Sequence, residues 1–444
     1  MRLGRVHLFV AFAFTVMADP VSSVAYAIEA ALRALDGELG ELVLTMVAVV
    51  GIIVVVAATY HQLIGRYPEG GGGPRSVADA FGDGWAFVPL GALLVDFTLT
   101  VAVSCAAAAA ALIAYLPKLA DARLPLALGL AAFVAGGVLL GHRGRVGFAI
   151  ATQAFVLLAL VVIGAGVASG PAATGDMGGA GNPVVAEPSL LAVLLALPLG
   201  MALATGVEAP SDAIAQLPQL DRDSRRRFGR LTLWLMVAIV ATLTIAFAVL
   251  AVRLAVELPG GNSTLLAEVA REAVGDGAVF GAFQGASALL LLAAAASSYM
   301  AGSGVLKALS RIGREDAGLV PRAFGDDNRF LVPTRGVAVV FAAAAAMIAG
   351  AGGHEQELVH FYAVSVFASF LAATLGCAKL SLRDNNRGAA GLNVLGATLV
   401  ALVLVLNLTR IDAVIALGAS VALAAYLWGS WVRRGRPSGI GAQL

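Results

Sequence analysis

The sequence predicts an all-α polytopic membrane protein, and three observations carry that prediction. Of 444 residues, 59% are hydrophobic and 13% charged, about half the charged share of a soluble domain. Apolar runs of about 18 residues or more recur along the whole chain, the length a helix needs to cross the hydrocarbon core. The basic residues fall on alternate connections, as the positive-inside rule requires.

Hydropathy places twelve spans at about 7–34, 41–64, 86–115, 124–141, 146–168, 189–217, 231–253, 277–308, 336–351, 355–378, 390–409 and 412–432. With the N-terminus inside, all but six of the 29 Lys and Arg lie on the inner side, the six being Arg33, Lys118, Arg123, Arg253, Arg271 and Arg410. Both termini are therefore expected to be cytoplasmic. Arginine outnumbering lysine, with abundant alanine, suggests a GC-rich bacterial genome and hence the bacterial inner membrane. Residues 169–188 are a Gly/Pro-rich outer linker with no helical period. The stretch STLLAEVAREAV within 258–276 is amphipathic and suited to the outer surface. The inner segment 311–335 is expected to form a short surface helix and a turn. No soluble domain or cleaved signal peptide is expected. Cys105 and Cys377 fall inside spans, as free core residues.

The first and sixth spans are interrupted near their middles. ADPVSSVAYAIE at 18–29 aligns with ATGVEAPSDAIA at 204–215, and the two segments, five spans apart, cross in opposite directions. That is the inverted five-plus-five repeat of secondary transporters, whose broken helices carry the substrate site. The repeats would be 1–168 and 189–378, with two extra helices in 390–432. Pro20 cannot donate a backbone hydrogen bond and crowds the preceding turn; Gly206 and Pro210 loosen the sixth span. Carbonyls freed at such breaks can coordinate a cation. Ordinary proline kinks are the alternative.

Three acids lie near mid-membrane, Asp19, Asp96 and Glu208, with no Lys or Arg at comparable depth. Unpaired, they would together cost on the order of 5–10 kcal/mol, a cost that protonation or a bound cation relieves. Hydroxyls accompany them. Ser22, Ser23 and Tyr26 follow Asp19, Thr100 is one turn past Asp96, and Thr205 precedes Glu208 by three residues. Oxygen donors without a thiol or imidazole cluster select hard ions. Asp96 has a second reading as a polar anchor between helices, and Asp212 as a solvated or paired group. Glu29 either snorkels or lines a vestibule, and His360, beside Tyr362, reads as a packing or interface residue. The chain holds no HExxH and no Gly-flanked serine of the nucleophile-elbow kind, so an enzyme is not expected. Paired breaks suit alternating access better than a channel.

These motifs resemble a known family. ADPVSSVAYAIE resembles the S-D-x-x-S-S-x-A-Y-x-x-E signature of Kim-type potassium importers. Those importers belong to the KUP (potassium uptake permease) branch of the amino acid–polyamine–organocation (APC) superfamily, with its LeuT/APC-type fold. RYPEGGGGPRSV, LLVDFTLTVAVS, ALATGVEAPSDA and FYAVSVFASFLAATLG are similar to its further motifs, in order along the membrane core. The resemblance implies potassium uptake coupled to protons by alternating access. It assigns the ion site to Asp19, Tyr26, Asp96, Thr100, Thr205, Glu208 and Tyr362, with Glu208 the proton carrier; Ser22, three residues past Asp19, is counted with the ion ligands. It implies no cofactor beyond the transported K+ and H+; a homodimer is open and nucleic acid is not expected. Phe97 stands where the family usually has tyrosine. The chain ends at Leu444, short of the large cytoplasmic domain of regulated members, so regulation by that route is not expected.

Amino-acid carriers of this superfamily keep a glycine-rich break where this chain has Asp19. A substrate carboxylate about 4 Å from Asp19 would be repelled by roughly 4 kcal/mol at an effective dielectric near 20, about a thousandfold in affinity. A metal cation or an amine escapes that penalty. A proton-coupled amino acid or amine permease remains the alternative.

Overall fold

The computed structural model describes residues 2–141, 145–170, 189–217, 219–312 and 318–440. Most of the 169–188 linker, together with Arg143, lies outside the described residues. Within them every regular element is helical, apart from one isolated bridge between Asp327 and Pro333.

The chain begins with α1 (Arg2–Val16), α2 (Ala18–Ser22) and α3 (Val24–Ala34), then α4 (Leu39–Arg66) and the short α5 (Gly72–Phe81). The helices α6 (Phe87–Tyr115), α7 (Arg123–Leu139) and α8 (Arg145–Ala168) follow. Beyond the linker come α9 (Leu190–Gly200), the short α10 (Ala209–Ala213), α11 (Arg222–Arg253) and α12 (Leu265–Val274). The last are α13 (Ala278–Arg311), α14 (Thr334–Gly350), α15 (Glu355–Arg383), α16 (Arg387–Asn407) and α17 (Ile411–Arg433).

Ten helices among the described residues are long and apolar enough to cross a membrane. The expected first span is divided between α1, α2 and α3, with Val6–Val16 its longest apolar piece, and α14 is a shorter apolar helix. Length alone therefore identifies ten of the twelve expected spans.

The core is built on α6, which packs against α13 and α15. Its alanine run, Ala106–Ala111, is buried, as is Ala293–Ala296 of α13. Without a hydrophobic driving force in lipid, small side chains let helix backbones approach and gain dispersion contact. At Gly91 the approach reaches backbone: a Cβ there would lie 2.6 Å from the Ser420 carbonyl oxygen of α17.

The basic connections meet one another at one face. Arg222 pairs with Glu69 at 2.6 Å, Arg66 pairs with Asp384, and Arg383 donates to the Asp79 carbonyl at 2.9 Å. At the other face Arg33, Arg123, Arg253, Arg271 and Arg410 each donate to a backbone carbonyl. Three of those acceptors, Ala114, Val167 and Leu195, belong to α6, α8 and α9. Carbonyls near a helix C-terminus lack helical partners and carry partial negative charge, and Ala114 and Val167 are of that kind. The amphipathic stretch forms α12, and it is not merely a surface helix. Leu265, Leu266, Ala267, Val269 and Ala270 are buried against α3, α8 and α13. Of the 311–335 segment, the described part carries a single 3-10 turn, Arg322–Gly325.

Candidate functional site

The sixth span is unwound. A 3-10 turn (Met201–Ala204) gives way to Thr205 in extended conformation and Gly206 at φ +79° before α10 resumes. Only glycine adopts that left-handed backbone without strain. It is also bare for space: a Cβ at Gly206 would lie 2.6 Å from Pro20 Cδ and 3.2 Å from Asp19 Oδ2. The two interruptions are thus in contact. The first span departs from expectation. It is kinked and not parted, with only Met17 and Ser23 outside regular α-helix and backbone bonds such as Ala27 N to Ser23 O at 2.9 Å retained. Pro20 removes one donor, and the serine hydroxyls fold back on the loosened turn. Ser22 Oγ donates to the Asp19 carbonyl at 2.7 Å.

Ser23, the neighbour of the nominated Ser22, joins the two spans. Its hydroxyl lies 2.8 Å from Thr205 Oγ1 and 3.0 Å from the Tyr26 hydroxyl. Thr205 in turn donates to the Ala202 carbonyl at 3.0 Å. Tyr26 meets Tyr362 of α15 edge-on, ring centres 6.2 Å apart, and the Tyr362 hydroxyl lies 2.7 Å from Thr100 Oγ1 of α6. All five hydroxyl residues are fully buried. Tyr26, Thr100, Thr205 and Tyr362, separated widely in sequence, are therefore brought into one layer.

The three acids lie beside this layer. Asp19, Asp96 and Glu208 are buried, and each has one carboxylate oxygen, Oδ1, Oδ1 and Oε2 respectively, shielded from solvent without a hydrogen-bond partner. Asp96 feels the charge of both Glu208 and Asp19. Among the described residues none of the three enters an ion pair with a basic side chain within 4.0 Å. Oxygens left so call for a proton, a cation or water, since a buried unpaired charge costs several kcal/mol. Tyr60 of α4 lies within electrostatic reach of Glu208, Asp212 and Asp96, and nothing in its sequence context marked it.

The sequence profile of the amino acid permease family matches residues 8–430. The chain belongs to the amino acid permease family. The permease is 29% identical over 383 residues to the potassium transporter KimA of Bacillus subtilis (strain 168), a match covering 82% of this chain and 60% of that protein. It thus spans about 60% of the length of that relative. Its fold is similar to the crystal structure of a mutant manganese transporter of Eremococcus coleocola. The TM-score is 0.52 at 14% identity, covering 97% of this chain and 96% of the other; at that identity the likeness concerns the fold alone. The permease is an integral membrane transporter and not an enzyme.

Access to the site differs between the two faces. A cavity of about 360 Å³ is lined by Asp19, Glu208, Asp212 and Phe97 and reaches the exposed Glu69 on the arginine-rich face. Arg222 beside Glu69 lowers its carboxyl pKa, so Glu69 stays ionised and paired with Arg222 at neutral pH. Asp212, which the sequence left as solvated or paired, lines this cavity and receives the Ser211 hydroxyl at 3.2 Å. Asp96, Tyr26, Thr100, Thr205 and Tyr362 are not among its lining residues. Toward the other face two buried acids, Glu29 and Glu355, are held in ion pairs. Glu29 Oε1 accepts from Arg33 Nε at 2.9 Å and Nη2 at 2.8 Å, while Oε2 accepts the Leu265 amide at 2.8 Å. Arg123 Nη1 lies 3.4 Å from Glu355 Oε2, and both side chains are buried. Glu29 does not snorkel: it is buried and ties α3 to α12.

Proposed function

We propose that this permease imports a monovalent cation, potassium foremost, by symport with protons through alternating access. The observation that carries the reading is the set of three buried carboxylates, each with an unpartnered oxygen, beside two touching helix interruptions and a layer of hydroxyls. A cation shed of its water needs several oxygen ligands and compensating negative charge. Asp19, Tyr26, Asp96, Thr100 and Thr205 would supply them, with Ser22 and Tyr362 in support. Glu208, at the cavity and the break, would change protonation as access switches and so couple transport to the pH gradient. The similarity to a potassium transporter supports the choice of cargo. The segments 1–168 and 189–378 would be the inverted repeats that rock about the site, with 390–432 outside them. On the positive-inside rule the arginine-rich face is cytoplasmic and both termini lie there, in a bacterial inner membrane. The conformation described would then be inward-facing.

A second reading, an amino acid or amine permease, is favoured by the family itself. One experiment separates the two: purified permease in proteoliposomes with an imposed pH gradient, offered labelled rubidium or a panel of labelled amino acids and amines. Gradient-driven rubidium uptake is expected. Uptake of an amino acid or amine with no rubidium flux would replace the first reading by the second.

A further inference from the structure

From a groove at the arginine-rich end of α4 and α11, we infer that the permease holds the phosphate of an anionic phospholipid. Of the five arginines that open α11, Arg222 is engaged by Glu69 and Arg225 Nε by the Leu220 carbonyl at 3.0 Å. The other three, Arg226, Arg227 and Arg230, line a cavity of about 500 Å³ with His61 of α4 and Trp234. The groove is built and not merely charged. Arg230 lies across Gly65, where any Cβ would collide with its guanidinium, and its Nε donates to the His61 carbonyl at 3.2 Å. The Trp234 indole donates to His61 Nδ1 at 3.0 Å. A neutral His61 then carries its proton on Nε2, a further donor. Arg226 Nε is shielded from solvent and has no hydrogen-bond partner. One carboxylate, that of Asp223, also lines the groove; it is 89% exposed and lies 3.3 Å from Arg226 Nη1.

The surface below the guanidinium groups separates a lipid from a free phosphate. Arg227, Leu231, Trp234 and Ala238 are all exposed, and their spacing puts them on one helix face. Cationic heads thus stand above an apolar stripe with tryptophan between them, the order that headgroup, interface and acyl chain require. A dissolved anion would make no use of the stripe.

The test is native mass spectrometry of the purified permease in detergent, titrated with phosphatidylglycerol, phosphatidylcholine or inorganic phosphate. Phosphatidylglycerol should be retained preferentially, and R226Q/R227Q should weaken it about 25-fold, about fivefold for each guanidinium removed. D223N, which removes an exposed charge and its pairing with Arg226, should tighten it severalfold and tests the site even if the double variant folds poorly. Phosphatidylglycerol retention unchanged in R226Q/R227Q and in D223N would overturn the assignment. So would inorganic phosphate binding as tightly as the lipid with the same arginine dependence, which would make this a site for the free anion.

Discussion

Neutralising Glu355 should loosen the face of the permease opposite the cavity. Its carboxylate and Arg123 are both about 6% exposed and 3.4 Å apart, so Glu355→Gln leaves a buried guanidinium without its ion-pair partner and with only the more distant Glu29 to offset it. Removing one member of a buried pair costs about 3–5 kcal/mol. The separation is long and Arg123 keeps the Gly261 carbonyl, so the lower end, about 3 kcal/mol, is appropriate. With the face open both groups are hydrated and the loss is small, so nearly all of it falls on the closed state. The closed-to-open ratio should drop about a hundredfold. A cysteine at Gln356, whose amide lies 3.5 Å from the Tyr26 carbonyl, reports the opening once the buried Cys105 and Cys377 are replaced by alanine. In nanodiscs its reaction with a bulky maleimide should accelerate by up to about a hundredfold in the Glu355→Gln background. Asp384→Asn, which breaks the Arg66 pair on the opposite face, should leave the rate alone. Labelling at the parent rate in Glu355→Gln would refute the reasoning, as would equal acceleration by Asp384→Asn, which would report general loosening.

Other outcomes follow from the site itself. Asp19→Asn and Asp96→Asn should each abolish rubidium uptake in a transport-deficient host while membrane insertion is retained; normal uptake by both would dismiss the ion-site assignment. Glu208→Gln should still bind the cation, measured by ligand-induced thermal stabilisation, yet lose the dependence of uptake on the pH gradient. Unchanged proton dependence would remove it as the carrier. Gly206→Ala combines a strained φ of +79° with a clash against Pro20, and should lower the thermal midpoint and transport together. A wild-type midpoint would show that the two interruptions are less tightly apposed than described.

The parts of the site visible in the sequence were those whose cost is visible there. A carboxylate inside an apolar run stands out because hydrocarbon penalises it, so Asp19, Asp96 and Glu208 could be singled out one by one. Gly206 announced its own break. The geometry of the first interruption was not legible: a proline deletes a single hydrogen bond, and whether the helix parts or merely kinks depends on what packs against it. Nor was the choice between Ser22 and Ser23, since adjacent residues on a helix point about 100° apart and the phase of a loosened turn is set by its neighbours. The pairing of Arg123 with Glu355, 232 residues apart, left no local trace. The burial of α12 was missed because an amphipathic helix looks the same whether lipid or protein covers its apolar side.

The Ser23 bridge has a consequence for isotope chemistry. A hydroxyl owns one hydrogen, and Thr205 can commit its own to the Ala202 carbonyl. With the Thr205 hydrogen on that carbonyl, Ser23 gives its own to Thr205 and Tyr26 gives its own to Ser23; with the Ser23 hydrogen on the Asp19 carbonyl 3.5 Å away, the Ser23–Thr205 bond runs the other way. The row is a hydroxyl relay, Tyr26, Ser23 and Thr205, whose order is set by which of two main-chain oxygens, Ala202 or Asp19, takes a hydrogen. Any cargo that draws on these oxygens either uses the lone pairs this order leaves free or forces the whole row to reverse. A reversal moves several hydrogens at once, so turnover in heavy water would be slowed by a multiple-site solvent isotope effect, curved in a proton inventory.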